Sequence, residues 1–194
     1  MLPDDVLLEI FDFYLVSYEE YRRDPVVAYD KQRMDKWITL AHVCWRWRNV
    51  VLQSPHRLNL RLFCTSGTPA RDTLDIWPPL PLVVWNTGYK LSRGVDNIVA
   101  ALEHSDRVCY INLYFHSSSE WEHVPNSAAM QKPFPELTDL WLRKYYDEPE
   151  SILPDSFLGG TAPRLQVVDF AQCSVSGITE TTFVRHSPRL PSPF

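Results

Sequence analysis

Glycine is scarce in this chain, with six residues in 194, and none of them builds a phosphate-cradling loop; Gly159-Gly160 reads as a turn. Cysteine is equally thin. Cys44, Cys64, Cys109 and Cys173 stand 20 to 64 residues apart with no C-x-x-C pair, which excludes a local zinc knuckle or thioredoxin-like redox pair. Four reduced thiols filling core space are the expectation. There is no excess of positive charge: the net charge is −5, residues 1–62 hold nine acids and nine bases, and residues 63–194 hold fifteen acids and ten bases. A nucleic-acid polyanion is therefore not the expected ligand. No apolar run approaches the roughly 20 residues that span a bilayer. Asp4 and Asp5 stand where a secretory signal would carry bases, and no N-x-[ST] site occurs. The expectation is a soluble protein of the cytoplasm and/or nucleus, with no membrane and no nucleic acid among its partners. Hydrophobic residues at 45% and charged ones at 22% are those of a folded chain of one large or two small domains.

Catalytic patterns are missing too. No G-x-S-x-G elbow is present, and Ser66-Gly67 and Ser176-Gly177 read as turns. Cys44 lies two residues from His42, a spacing that turns helical side chains apart. His116, Glu120 and His123 have metal-type spacing, but their serine-rich stretch before Pro125 reads as a solvated loop. Trp45-Arg46-Trp47-Arg48 has the residue types of a base-stacking platform, yet helix packing accounts for its tryptophans. The chain is expected to be non-catalytic, with no cofactor and no metal.

What is present begins at the amino end. Pro3, Asp4 and Asp5 suit a helix start, and Val6, Leu7, Ile10, Phe11 and Tyr14 recur at helical spacing as one apolar face. This helix is expected to end between Tyr14 and Ser17. A charged stretch, 18–24, follows, with Pro25 as a breaker. A second helix is expected from an N-cap at Asp30 to about Leu52. Its stripe is Trp37, Leu40, Ala41, Cys44, Trp47 and Val51, and Ser54-Pro55 stops it.

Leu2-Pro3-Asp4-Asp5-Val6-Leu7-Leu8-Glu9-Ile10-Phe11, then Leu40-Ala41-His42-Val43-Cys44-Trp45-Arg46-Trp47-Arg48-Asn49-Val50-Val51, then Ser54-Pro55, resemble an F-box over residues 1–56. More narrowly, the chain is similar to F-box-like proteins of mushroom-forming fungi, in which irregular leucine-rich repeats follow the box. It departs from that pattern in a longer, charged link from Val16 to Lys36 and in Trp45, where a basic residue is common. The resemblance implies function by docking. The box inserts into the Skp adaptor of an SCF-type cullin-RING ubiquitin ligase, and the rest of the chain selects a protein substrate. By position in the motif, Leu2, Pro3, Val6, Ile10, Val43 and Trp47 are the expected adaptor contacts; the other reading makes them the core of a small helical domain.

The remaining residues repeat. Leu80-x-x-Val83-x-Trp85, Val108-x-x-Ile111-x-Leu113, Leu137-x-x-Leu140-x-Leu142 and Leu165-x-x-Val168-x-Phe170 share the template L-x-x-L-x-L at steps of 28, 29 and 28 residues. Leu58, Leu60 and Leu62 alternate as a first strand, and Ala70 to Trp77 reads as a short helix. Asp96 is the expected cap of a helix carrying Ile98, Val99 and Leu102. Further helical segments are expected at Ser127–Lys132 and from Pro154. The fold class is thus α+β or α/β repeat: a helical F-box over 1–56, a leucine-rich-repeat-like solenoid with parallel strands over 57–180, and a disordered, proline-rich tail over 181–194. Template residues would face the core. The open concave face would carry Val84 and Asn86; Tyr110, Asn112 and Tyr114; Asp139, Trp141 and Arg143; Val167 and Asp169. Tyr110, Tyr114, Trp141 and Arg143 are the candidate substrate contacts, since such residues dominate binding hot spots; the other reading is that Tyr and Trp merely suit strands. No polar cap follows the last repeat, so a shortened version with an exposed apolar edge is expected. Two further readings are a repeat scaffold that binds a protein without any ligase, and a chain that has lost its substrate surface and only competes for the adaptor.

Overall fold

A computed structural model describes residues 2–16, 30–86, 94–144, 151–171 and 173–175. The charged stretch 18–24 and the tail 181–194 lie outside them.

Three helices open the chain: α1 (Asp4–Val16), α2 (Asp30–Val43) and α3 (Trp45–Gln53). Asp4 and Asp5 occupy the first turn of α1, at the positive end of its dipole. Leu7, Leu8, Phe11 and Leu15 are its buried residues, so the single face expected from Val6 to Tyr14 is split: Val6, Ile10 and Tyr14 are exposed. The helix expected over Asp30 to Leu52 is likewise two helices. Cys44 is extended, at φ −159° and ψ 169°, and its Sγ accepts the Trp47 backbone N–H at 3.5 Å as the N-cap of α3. A capping acceptor satisfies one of the free donors that any helix start leaves, and this offsets the broken ladder. Cys44 is consequently exposed rather than a core filler.

After the Ser54 cap the chain turns through Asn59, whose φ of 47° a short polar side chain tolerates. Leu58, Leu60 and Leu62 are all buried, and the strand expected from Leu58 starts only at Leu62. Five parallel strands, β1 (Leu62–Cys64), β2 (Leu82–Trp85), β3 (Val108–Phe115), β4 (Asp139–Lys144) and β6 (Val167–Ala171), form one sheet in the order β1-β2-β3-β4-β6. The class is therefore mixed helix and strand, built on a parallel sheet. A second sheet pairs β5 (Ser151–Leu153) with β7 (Cys173–Val175).

Helices α4 (Ala70–Thr73), α5 (Val95–Leu102) and α6 (Ser118–His123) fill three of the crossovers, and a 3-10 turn (Phe157–Gly160) lies in the fourth. The helix expected to reach Trp77 ends at Thr73 and continues as turns. The cap of α5 is Gly94 rather than Asp96, which lies in the first turn; glycine is required at 94, where a Cβ would meet the Ser66 carbonyl oxygen at 2.1 Å. The serine-rich stretch expected as loop holds α6. Ser117 accepts the Glu120 N–H at 3.3 Å, and the Glu120 carboxylate accepts the His116 N–H at 2.9 Å, a near relative of the capping box. Residues 127–132 form turns and bends instead of the expected helix.

Ladder register stacks the template. Ile111 pairs with Leu140 and Leu140 with Val168; Leu113 pairs with Leu142 and Leu142 with Phe170. The first copy is displaced: Val84, not Val83, pairs with Ile111, across a bulge between Leu82 and Val83. Every residue of Leu82–Trp85 is apolar and buried, so no alternation fixes its register. One continuous hydrophobic cluster runs from Phe11 and Val51 through Leu62, Val84 and Ile111 to Leu142 and Phe157. The helical unit and the sheet thus share a core.

Just past β2, the buried Asn86 prolongs the ladder with its side chain. Its Oδ1 accepts the Tyr114 N–H at 2.7 Å and its Nδ2 donates to the Tyr114 carbonyl at 2.7 Å. Asn86→Asp keeps the acceptor, loses the donor and sets a carboxylate against a carbonyl. A lower urea midpoint, equivalent to about 3 kcal/mol, is expected. At Cys64, burial pushes the thiol up to about 11 from its ordinary 9.0. Because the folded value is the higher one, its contribution to stability is complete below pH 9.0 and is lost as pH rises toward about 11. Iodoacetamide at neutral pH, followed by peptide mapping, is expected to alkylate the exposed Cys44 and spare Cys64 until the chain unfolds.

Candidate functional site

Two surfaces carry the candidate residues. On α1, taken at 100° per residue, Leu7, Leu8, Phe11 and Leu15 fill an arc of about 100° facing the core, while Val6, Ile10 and Phe13 share an arc of about 60° outside it. Leu2, Val6, Ile10 and Val43 are 52%, 41%, 46% and 56% exposed, and Pro3 is exposed beside them. The expected contact Trp47 departs from this set. It is half-buried, with its ring edge-to-face on Phe11 at 4.8 Å between centroids, so it belongs to the helical core as much as to the surface.

Two exposed residues enlarge the strip beyond the sequence reading: Phe13 at 78% and Trp45 at 76%. Phe13 lies one turn past Ile10, a signal present in the sequence. Trp45 is the first residue of α3, just after the break at Cys44, and lies off the apolar stripe of Trp37, Leu40, Ala41, Trp47 and Val51. Arg46 joins the two ends of the strip. Its guanidinium donates to the Asp4 carboxylate at 2.6 and 3.1 Å and to the Leu2 carbonyl, tying the start of α1 to the start of α3. Arg57 pairs with Glu9 at the edge.

The second surface is the sheet face opposite the core. By register, Phe63, Val83, Tyr110, Asp139 and Val167 form one row and Trp85, Asn112, Trp141 and Asp169 the next; Tyr114 and Arg143 form a third. All four candidate substrate contacts, Tyr110, Tyr114, Trp141 and Arg143, lie on this face. Val84 and Asn86 do not: the displaced register sends them to the core side and puts Val83 and Trp85 here.

Arg143 is engaged within the chain. It donates to the Asp169 carboxylate at 2.8 and 3.2 Å and to the Tyr114 hydroxyl at 2.6 Å, and it lies 4.8 Å from the Trp141 ring centroid. Burial works against its charge, but the hydrogen bonds it donates to Asp169 and Tyr114 prevail and hold its pKa above the ordinary value. Asp139 accepts the Thr138 hydroxyl at 2.6 Å. Arg143 is thus matched by Asp169, while Asp139, on the same face, has the neutral Thr138 hydroxyl as its hydrogen-bond partner.

The His116–His123 segment does not assemble ligands: Glu120 is held by the His116 backbone, and His123 lies 3.9 Å from Asp96. Among the described residues no group of three or more His, Cys, Asp or Glu side chains is placed to hold a metal, and no helix is long and apolar enough to cross a membrane. Comparison with known proteins gives no matching family model, no matching curated protein and no matching solved structure.

The Arg143–Asp169 pair is about one-third exposed on each side, which limits its worth. A double-mutant cycle with Arg143→Gln and Asp169→Asn, read by urea unfolding, is expected to give a coupling of about 1 kcal/mol.

Proposed function

We propose that this chain is an F-box protein: its amino-terminal helices hold a Skp adaptor, and its sheet face presents a protein substrate to an SCF-type cullin-RING ubiquitin ligase. It works without catalysis of its own. The observation that carries this reading is that Leu2, Pro3, Val6, Ile10, Phe13, Val43 and Trp45, all apolar, are exposed on the helical unit. Apolar side chains gathered in this way mark a protein-binding surface, and helix-in-groove docking is a form of recognition that uses them. Five of these residues, Leu2, Pro3, Val6, Ile10 and Val43, stand at positions by which residues 1–56 resemble the F-box; Phe13 lies outside the motif and Trp45 departs from it.

For the rest of the chain we propose a short leucine-rich-repeat-like solenoid. Parallel strands recurring every 28 or 29 residues, with template positions stacked in register across β3, β4 and β6, support it. In that reading the face bearing Tyr110, Tyr114, Trp141 and Arg143 receives the substrate.

The test is co-purification of the full chain with a Skp adaptor from a fungal host. Ile10→Asp and Phe13→Asp each place a charge in the exposed strip without touching the buried arc. Each is expected to weaken adaptor binding by about a hundredfold while the melting temperature stays within a few degrees. Retained binding in both variants, or no binding by the parent chain, overturns the ligase reading and favours a free-standing scaffold. Trp47→Asp is a poor probe, since its ring packs on Phe11 and loss of fold would mimic loss of binding.

A further inference from the structure

Asp139 is the one carboxylate of the open sheet face that makes no ion pair among the described residues. Its Oδ2 lies 2.6 Å from the Thr138 hydroxyl, which also stands 2.9 Å from the Cys109 carbonyl oxygen. A hydroxyl carries one proton, so it serves only one of those acceptors at a time. The nearby cations are held elsewhere. Arg143 pairs with Asp169, Arg164 with Glu136, and Arg107 donates to the Pro78 and Leu80 carbonyls. Arg61 donates to Asn59 and stands three strands from β4, about 14 Å away. Strands disfavour aspartate. Asp169 has Arg143 to offset that preference, and Asp139 has no counterpart.

The surroundings of Asp139 are aromatic. Tyr110 pairs with it across the ladder, rooted about 4.8 Å away, and Trp141 follows two residues on, about 6.6 Å along β4. All three are half-buried and keep part of their surface in solvent. They differ in this from Trp85 Nε1, Asn112 Oδ1 and Trp141 Nε1, which have no partner among the described residues but are sealed from solvent.

The same face shows what such a set holds. The Arg143 guanidinium lies 4.8 Å from the Trp141 ring centroid and 5.4 Å from that of Tyr114, with the Asp169 carboxylate at 2.8 Å. A carboxylate, a tyrosine and a tryptophan thus grip one cation. Asp139, Tyr110 and Trp141 are the same three residue types, on the same strands or their neighbours, without the cation.

We infer that Tyr110, Asp139 and Trp141 form a subsite for an arginine side chain of the partner protein. The guanidinium pairs with the Asp139 carboxylate and lies against the two rings. Charge complementarity selects this occupant: a guanidinium offers paired N–H donors to a carboxylate and stacks on aromatic faces. An acidic segment meets repulsion there, and an apolar one buries the carboxylate unpaired. The inference rests on the sheet face being the substrate surface, and it names the chemistry recognised there.

A phage-displayed library of linear random peptides panned on the full chain tests it, followed by fluorescence polarisation with the enriched peptides. Arginine-bearing peptides are expected to be enriched. Asp139→Asn keeps the shape and an acceptor for Thr138 but removes the charge, and is expected to weaken their binding about tenfold. Citrulline in place of the peptide's arginine is expected to do the same against the parent chain and nothing further against Asp139→Asn. Tyr110→Leu is expected to cost about threefold. Raising salt from about 0.1 M to about 1 M is expected to weaken binding to the parent far more than to Asp139→Asn. Asp139→Asn is expected to melt at or above the temperature of the parent chain, because it removes a half-buried charge with no ion partner. A lower melting temperature with binding unchanged makes Asp139 structural and overturns the inference. Lysine peptides that bind as tightly as arginine peptides overturn the guanidinium assignment. Binding that ignores Asp139→Asn yet falls with Tyr114→Leu overturns the subsite and leaves the face as the substrate surface. Binding indifferent to every substitution on the face removes that surface as well. Enrichment only of peptides without arginine, or of none, overturns the inference, while adaptor binding is unaffected by that result.

Discussion

Helix α1 is apolar around more of its circumference than the chain's own core can cover, and the rest of the structure is arranged about that constraint. Leu7, Leu8, Phe11 and Leu15 anchor it to the shared core; Val6, Ile10 and Phe13 remain outside. A surface helix ordinarily carries one apolar stripe and a polar back, and a helix apolar on both sides is normally enclosed. Here the enclosure is incomplete. Arg46 fixes the start of α1 through Leu2 and Asp4, and Val43 and Trp45 flank the break at Cys44. The uncovered strip is thus held by charged and capping interactions that consume none of its apolar surface.

The break at Cys44 shows how local chemistry decides between two structures that periodicity alone treats as equal. The stripe from Trp37 to Val51 is continuous at helical spacing, and nothing in the hydrophobic pattern marks an interruption. The interruption is a hydrogen-bonding event: an extended residue with a side chain able to accept from the third residue on. Cysteine is a weak acceptor, which is why its residue type gives little warning. Ser117 and Glu120 are the opposite case. Their spacing is an ordinary helix-start signal, outweighed in the sequence by a run of serines that resembles loop.

The parallel sheet was legible because three of its strands alternate. In β3, β4 and β6 the template residues fall on one side and Tyr, Asn, Asp, Trp and Arg on the other, so period two assigns each side chain a face. In β2 all four residues are apolar, alternation vanishes, and the register follows from the bulge before Val83 instead. That one-residue displacement exchanges Val84 and Asn86 for Val83 and Trp85. It has consequences at both faces. Asn86 becomes the amide that extends the ladder onto Tyr114, and Trp85 becomes a donor beside Asn112. Candidate residues from the alternating strands were readable from spacing; those from the uniform strand were not.

The sheet face combines two kinds of polar group that serve opposite ends. Arg143, Asp169 and Tyr114 are mutually satisfied, and this network stiffens the third row while cancelling its charge. The neighbouring row keeps three unsatisfied groups at a cost to stability. Ion pairing on this face is local: Arg143 is matched by Asp169, while Asp139 has the Thr138 hydroxyl as its partner. The same economy holds at the amino end, where the ion pairs lie beside the exposed strip and the strip itself is uncharged. In both places the ion pairs tie neighbouring elements together: Arg46 and Asp4 join α3 to α1, and Arg143 and Asp169 join β4 to β6.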